Sequence, residues 1–274
     1  MEFCISEMAM QEGDILSHIR EAGAQGVPCM EIGKAHLMNY LRSGGTLEEV
    51  RRTLEECSVK PVCLNSIESI SFNPKRGMRV LLEMSEYLFY CCRAIGCGCV
   101  EVIGSFKVPA EDPEEIEAET ADAMAQLADL AKPFGIRLAL EYMGVPASSV
   151  KTFSQALSIV RKAGRENAGL LVDTWHHYAG GGTVEELKLA GGKEIFMVHV
   201  SDCPERKPFS AVRTECFLPG DGVIPIKEML QSLGETGYEG PVSAEVMAPE
   251  IRYLAPTEYI RRTKMSVVPL LPMR

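Results

Sequence analysis

Leu170-Leu171-Val172-Asp173-Thr174-Trp175-His176-His177 breaks from an unbroken apolar run into an acid, an aromatic ring and two imidazoles. It reads as a buried strand that delivers Asp173 into a pocket. Three other runs share the pattern: Leu138-Ala139-Leu140-Glu141, Phe196-Met197-Val198-His199 and Pro241-Val242-Ser243-Ala244-Glu245. A carboxylate or imidazole is costly to bury alone, so each of these ends needs a partner, a mouth or a metal. Four of them in one chain point to one shared site.

Working outward from these runs, the same unit recurs along the chain. Strand-like segments at Phe3–Glu7, Val27–Ile32, Val59–Asn65, Cys99–Ile103, Ile136–Glu141, Gly169–Asp173, Ile195–His199 and Pro241–Val246 alternate with helical ones. The helices are expected from Asp14 to Ala24, Thr46 to Cys57, Met78 to Ile95, Pro113 to Lys132, Thr152 to Ala163, Thr183 to Leu189, Pro225 to Gly234 and Pro256 to Leu270. Thr46-Leu47-Glu48-Glu49 is a capping box, and Pro113 with the acids behind it suits a first helical turn. Near-continuous apolar strands fit a parallel sheet covered on both faces. An eightfold βα alternation predicts a closed (β/α)8 TIM barrel, residues 1–274 as a single domain, with its active site at the C-terminal ends of the strands. The competing open doubly wound sheet lacks its Gly-x-Gly-x-x-Gly turn.

Composition narrows the partners. The chain has 28 Lys and Arg against 38 Asp and Glu, a net charge of −10. With no basic stripe, neither nucleic acid nor an anionic membrane is an expected partner. The N-terminus has acids where a signal peptide wants basic residues, and no segment is long and apolar enough to span a bilayer, so a cytoplasmic protein is expected. Its ten cysteines are then expected to be reduced. Cys91-Cys92 and Cys97-x-Cys99 lack the spacing of a zinc site and read as buried small hydrophobes.

In a barrel, Glu141, Asp173, His199 and Glu245 end neighbouring strands. Three carboxylates and one imidazole suit Mn2+, Zn2+, Mg2+ or Co2+. A divalent ion bridging two oxygens of a hydroxy-ketone acts as a Lewis acid towards an enediolate, while Glu141 and Glu245 can take a proton and return it elsewhere. His176 and Trp175, beside Asp173, are candidate substrate contacts, the alternatives being a solvated loop histidine and a ring that caps the core. His177 is expected to have no special role. The longest connection, Ser201–Gly222, leaves a metal strand directly and offers Arg206 and Arg213 as substrate anchors. Asn65, Glu101 and Glu31 on earlier strands are further pocket candidates.

These residues resemble the xylose-isomerase-like barrel group of sugar isomerases and epimerases. The resemblance rests on Ala139-Leu140-Glu141, Val172-Asp173-Thr174-Trp175-His176, Val198-His199-Val200-Ser201-Asp202, Leu218-Pro219-Gly220-Asp221-Gly222 and Val242-Ser243-Ala244-Glu245. It implies Glu141, Asp173, His199 and Glu245 as metal ligands, Glu141 and Glu245 as the acid/base pair, Mn2+ or Zn2+ as the ion, and a homodimer. The tail Pro249-Glu250 followed by a helix is similar to the inosose isomerase branch, so an inosose-like keto-cyclitol or a keto-sugar is the expected substrate. Cys216 stands where relatives often carry an arginine, and Met197 where ketose 3-epimerases carry a second histidine. The same fold and metal also serve dehydratases and lyases, which stay open as an alternative. A DNA-repair endonuclease of this fold would need more histidines and a basic face. A non-catalytic metal-binding subunit would tolerate Glu245→Gln.

Overall fold

Eight parallel strands pair in chain order and close β8 back onto β1. They are β1 (Glu2–Ser6), β2 (Cys29–Gly33), β3 (Lys60–Ile67), β4 (Cys99–Ile103), β5 (Arg137–Glu141), β6 (Ala168–Asp173), β7 (Ile195–Val200) and β8 (Pro241–Ala244). Around and between them run α1 (Ile15–Ala24), α2 (Lys34–Arg42), α3 (Leu47–Glu56), α4 (Lys75–Ile95), α5 (Pro113–Ala131), α6 (Phe153–Ala163), α7 (Thr174–Ala179), α8 (Ile226–Glu235), α9 (Pro249–Arg252) and α10 (Pro256–Val267). The computed structural model describes residues 1–272. No helix among them is long and apolar enough to cross a membrane.

Side chains two apart on a strand share a face, and this alternation builds the interior. Cys4, Cys29, Cys63, Cys99, Ala139, Leu171 and Met197 pack into one apolar cluster separate from the larger core under the helices. Two positions further along β2 to β7 stand Glu31, Asn65, Glu101, Glu141, Asp173 and His199, all buried. A floor of four thiols and an alanine, completed by the larger Leu171 and Met197, thus carries a polar ring. All ten cysteines are free thiols, nine of them buried, including Cys91, Cys92, Cys97 and Cys99. They are core residues, as their spacing suggests.

Two helical expectations are corrected. The helix placed at 183–189 is a 3-10 turn, Glu185–Leu189, and the α-helix of this crossover, α7, starts directly after β6. Asp173 itself starts it, accepting the His176 backbone N–H at 2.8 Å, and Gly180-Gly181-Gly182 ends it. The last helix stops at Val267 and continues as a 3-10 turn to Leu270. Helices α2 and α9 have no counterpart in the sequence reading. Gly33 gives α2 no side-chain cap, and only Leu37 of its residues is buried, so neither cap nor apolar stripe announces it.

The long connection after β7 is ordered by a buried acid. Asp202 accepts backbone N–H groups from Cys203, Gly220, Gly222 and Ile224 at 2.9–3.0 Å. Its own backbone pairs in both directions with Phe217. The Pro219–Gly222 turn is thereby tied to the rim, and the segment holding Arg213 is closed into a loop. Asp202→Ala leaves these donors without their acceptor. In a denaturant titration it should lower stability by about 3 kcal/mol, with Asp202→Asn, which keeps one acceptor oxygen, losing less; an unchanged midpoint would contradict this role.

Candidate metal centre

β5, β6 and β7 bring Glu141, Asp173 and His199 to one rim, and Glu245 follows β8 by one residue. One ligand atom from each lies within 4.8 Å of the others. His199 Nδ1 is 3.5 Å from Glu245 Oε2, 3.6 Å from Glu141 Oε1 and 4.0 Å from Asp173 Oδ2. Its other nitrogen, Nε2, is 2.8 Å from Glu31 Oε2. A carboxylate only accepts, so Nε2 carries a proton and Nδ1 faces the three acids. This is the arrangement in which a carboxylate orients a metal-binding imidazole.

Burial opposes charge here, and the contacts decide which groups keep it. On His199, burial is outweighed by Glu31 and Glu245, which hold the imidazole pKa well above its ordinary value. On Glu245, burial is overcome by His199 and Arg213, so its carboxyl is held low; on Glu141, His199 does the same. Burial raises Asp173 despite Arg213. Glu101 is pushed well above the carboxylate range by burial and by Glu141. Even so, Glu141 Oε1 and His199 Nδ1 are buried without a hydrogen-bond partner. An orphaned carboxylate oxygen beside an orphaned imidazole nitrogen, with two further acids in reach, fits a divalent cation.

Arg213 is brought to this centre. Its Nη2 is 2.8 Å from Glu245 Oε2 and 3.5 Å from Asp173 Oδ2, while Nη1 reaches Ser201 Oγ at 3.3 Å. Its side chain is 23% exposed against 7% and 0% for the two acids, so it stands between them and solvent. Trp175 is fully buried, with the Arg213 guanidinium 5.1 Å above its ring. It backs the arginine and presents no surface of its own.

His176 is not a solvated loop residue. It lies in α7, buried, and its Nδ1 accepts the Gly144 N–H at 3.2 Å. Burial lowers its pKa, so the ring is neutral at pH 7 with its proton on Nε2. His177 is buried as well, held between the Tyr142 hydroxyl and the Thr183 carbonyl. Asn65 donates to Glu101 at 2.8 Å and to Glu31 at 3.3 Å, one layer of contacts behind His199. Arg206 is not brought to the centre and instead pairs with Glu215, both side chains over a third exposed. Glu31 had only weak support from sequence. Its place two residues after Cys29 is the signal that puts it on the inner face.

A family model described as xylose isomerase-like TIM barrel matches residues 16–265. The chain belongs to the xylose isomerase-like TIM barrel family. Within this family, an inosose isomerase of Bacillus licheniformis is 29% identical over 98% of this chain and 97% of its own. A 3-dehydroshikimate dehydratase of Pseudomonas aeruginosa is 28% identical over 88% of this chain but only 37% of that protein. A crystal structure of IolI protein with a bound zinc atom superposes with a TM-score of 0.94 at 28% identity, covering 99% of this chain and 98% of that one. Inosose isomerases related over nearly the whole chain make the protein an enzyme of the isomerase/epimerase type.

Because Glu31 fixes which nitrogen of His199 faces the acids, Glu31→Gln should weaken Zn2+ binding by about 10- to 100-fold. Isothermal titration of metal-depleted protein checks this, and an unchanged affinity would show that Glu31 does not orient the imidazole.

Proposed function

We propose that the protein is a divalent-metal-dependent isomerase or epimerase of an inosose-like keto-cyclitol or keto-sugar, acting by proton transfer next to a carbonyl. The observation that carries this reading is the group Glu141, Asp173, His199 and Glu245, gathered within 4.8 Å with two of its buried donor atoms unpartnered. These four would hold one ion, Mn2+ or Zn2+ in first place, with Mg2+ and Co2+ as alternatives. The bound ion supplies Lewis acidity, stabilising negative charge on the carbonyl and neighbouring hydroxyl oxygens as the proton leaves.

The rest is the work of this chain's own side chains. Glu141 and Glu245 are the proton carriers: one, as the carboxylate, takes the proton from the carbon beside the carbonyl and can give that same proton back at the neighbouring carbon, whereas return to the opposite face requires the other to enter the step as the protonated acid. Arg213 and the Nε2–H of neutral His176 donate to substrate oxygens, with Trp175 steadying the guanidinium. Asn65 fixes Glu31 and Glu101 behind the imidazole. In this reading the whole chain, residues 1–274, is one barrel domain working in the cytoplasm on a small molecule, as a homodimer.

Dehydration is the second reading, favoured by the dehydratase among the relatives. There the electron pair left when the proton is taken forms a double bond and breaks the bond to a β-hydroxyl, which leaves as water with a proton from a carboxyl group. Proton NMR in D2O with inosose separates the two. Solvent deuterium should enter beside the carbonyl and an isomeric ketone should form, both stopped by a chelator and restored by Mn2+ or Zn2+. Appearance of an enone would shift the assignment to dehydration, and no exchange with any keto-cyclitol or keto-sugar would sink both. Glu245→Gln should cut turnover about 100-fold or more while most of the metal stays bound. Full activity of this variant would leave the barrel a metal-binding protein without acid/base chemistry at Glu245.

A further inference from the structure

Glu7, the first residue past β1, is fully buried and is not among the acids around His199. Its Oε2 accepts the Gly33 backbone N–H at 2.9 Å. Its Oε1 faces two imidazoles, His18 Nδ1 at 2.6 Å and His36 Nδ1 at 2.7 Å. The His18 ring is fully buried too, and its Nε2 lies 2.7 Å from the Glu12 carbonyl oxygen. A carbonyl only accepts, so Nε2 carries the proton, and Nδ1 meets the carboxylate across a gap that a proton or a metal ion must fill. One proton on His18 does not complete the cluster. His36 Nδ1 is buried and makes no hydrogen bond, despite its 2.7 Å approach to the same oxygen.

We infer that Glu7, His18 and His36 form a second divalent-metal site, for Zn2+ or a similar ion such as Co2+, bound by Glu7 Oε1 and the Nδ1 atoms of both histidines. Two imidazoles and one carboxylate are a three-ligand set that leaves a position open for water or a ligand oxygen. Two of the three ligands are braced from behind, Glu7 by the Gly33 N–H and His18 by the Glu12 carbonyl, as bound ligands usually are. The two rings meet edge-on, 5.3 Å between centroids at 73°, which turns their nitrogens towards one point. Gly33 keeps that point clear, since a Cβ there would press on Glu7 Oε2 and crowd His36 Nδ1. His36, with 19% of its side chain exposed, is the way in. Ligand atoms around a tetrahedral ion at about 2.0–2.1 Å stand about 3.3 Å apart, so both Nδ1 atoms, now 2.6 and 2.7 Å from Glu7 Oε1, must move roughly half an ångström or more away from it when metal enters. The site shares no residue with the centre at β5 to β8.

Metal-depleted full-length protein, reloaded with Co2+ and counted by inductively coupled plasma mass spectrometry, tests the inference, with the Co2+ absorption spectrum as a second readout. Wild type should bind two equivalents, Asp173→Ala one and His36→Ala one, with the double variant binding none. Circular dichroism checks folding. His36→Gln, which keeps a polar side chain at this part-exposed position, serves if His36→Ala unfolds. Loss of an equivalent in His36→Ala but not in Asp173→Ala would uphold this site and bring down the proposed catalytic centre instead. A metal count that His36 variants do not change overturns the second site.

Discussion

The His199 imidazole separates Glu31 on one side from Glu141, Asp173 and Glu245 on the other. Without a cation at that point the mouth of the barrel would hold like charges within a few ångströms of one another in a poorly hydrated interior. The protein compensates with three devices: a His199 imidazole that Glu31 and Glu245 bias towards its charged form, Arg213 laid across Glu245 and Asp173, and a Glu101 carboxyl that burial biases towards its neutral form. Each is a provisional balance. The unpartnered Glu141 Oε1 and His199 Nδ1 mark where it is incomplete.

The rest of the fold serves to hold that arrangement in place. On the β1 to β5 side the floor is small, made of Cys4, Cys29, Cys63, Cys99 and Ala139, and leaves room inside the barrel for a layer of longer polar side chains above it. A larger floor would lift that layer or split it. Asp202 performs the corresponding task outside the strands, gathering four backbone N–H groups so that the loop holding Arg213 is anchored at both ends. Asp173 links the two levels, since one oxygen starts α7 and the other faces His199 and Arg213.

Much of this was legible in the residues, for physical reasons. Buried parallel strands are apolar along their whole length, so a polar residue at the end of one stands out, as Glu141, Asp173, His199 and Glu245 do. Glu31 and Asn65 are harder to see because their strands are less uniformly apolar, and only the period of two after Cys29 and Cys63 places them inside. The helix after β6 was hidden because its cap is the same Asp173 that reads as a site residue, and because three glycines follow it. Arg206 and Arg213 look equivalent in sequence, seven residues apart on one loop. What divides them is tertiary: Trp175 beneath one and Glu215 beside the other. No local pattern carries that information. The Glu7, His18 and His36 cluster is likewise assembled from three separate elements.

The central claim is that one divalent ion sits among Glu141, Asp173, Nδ1 of His199 and Glu245. Diffraction from crystals grown with Zn2+, recorded on both sides of the zinc absorption edge, tests it most directly. The expected result is an anomalous peak about 2.0–2.2 Å from His199 Nδ1 and from carboxylate oxygens of the three acids, with Glu31 still on Nε2. A crystal with zinc bound elsewhere and none at this point, or with Arg213 and His199 still balancing the acids at saturating Zn2+, would contradict it.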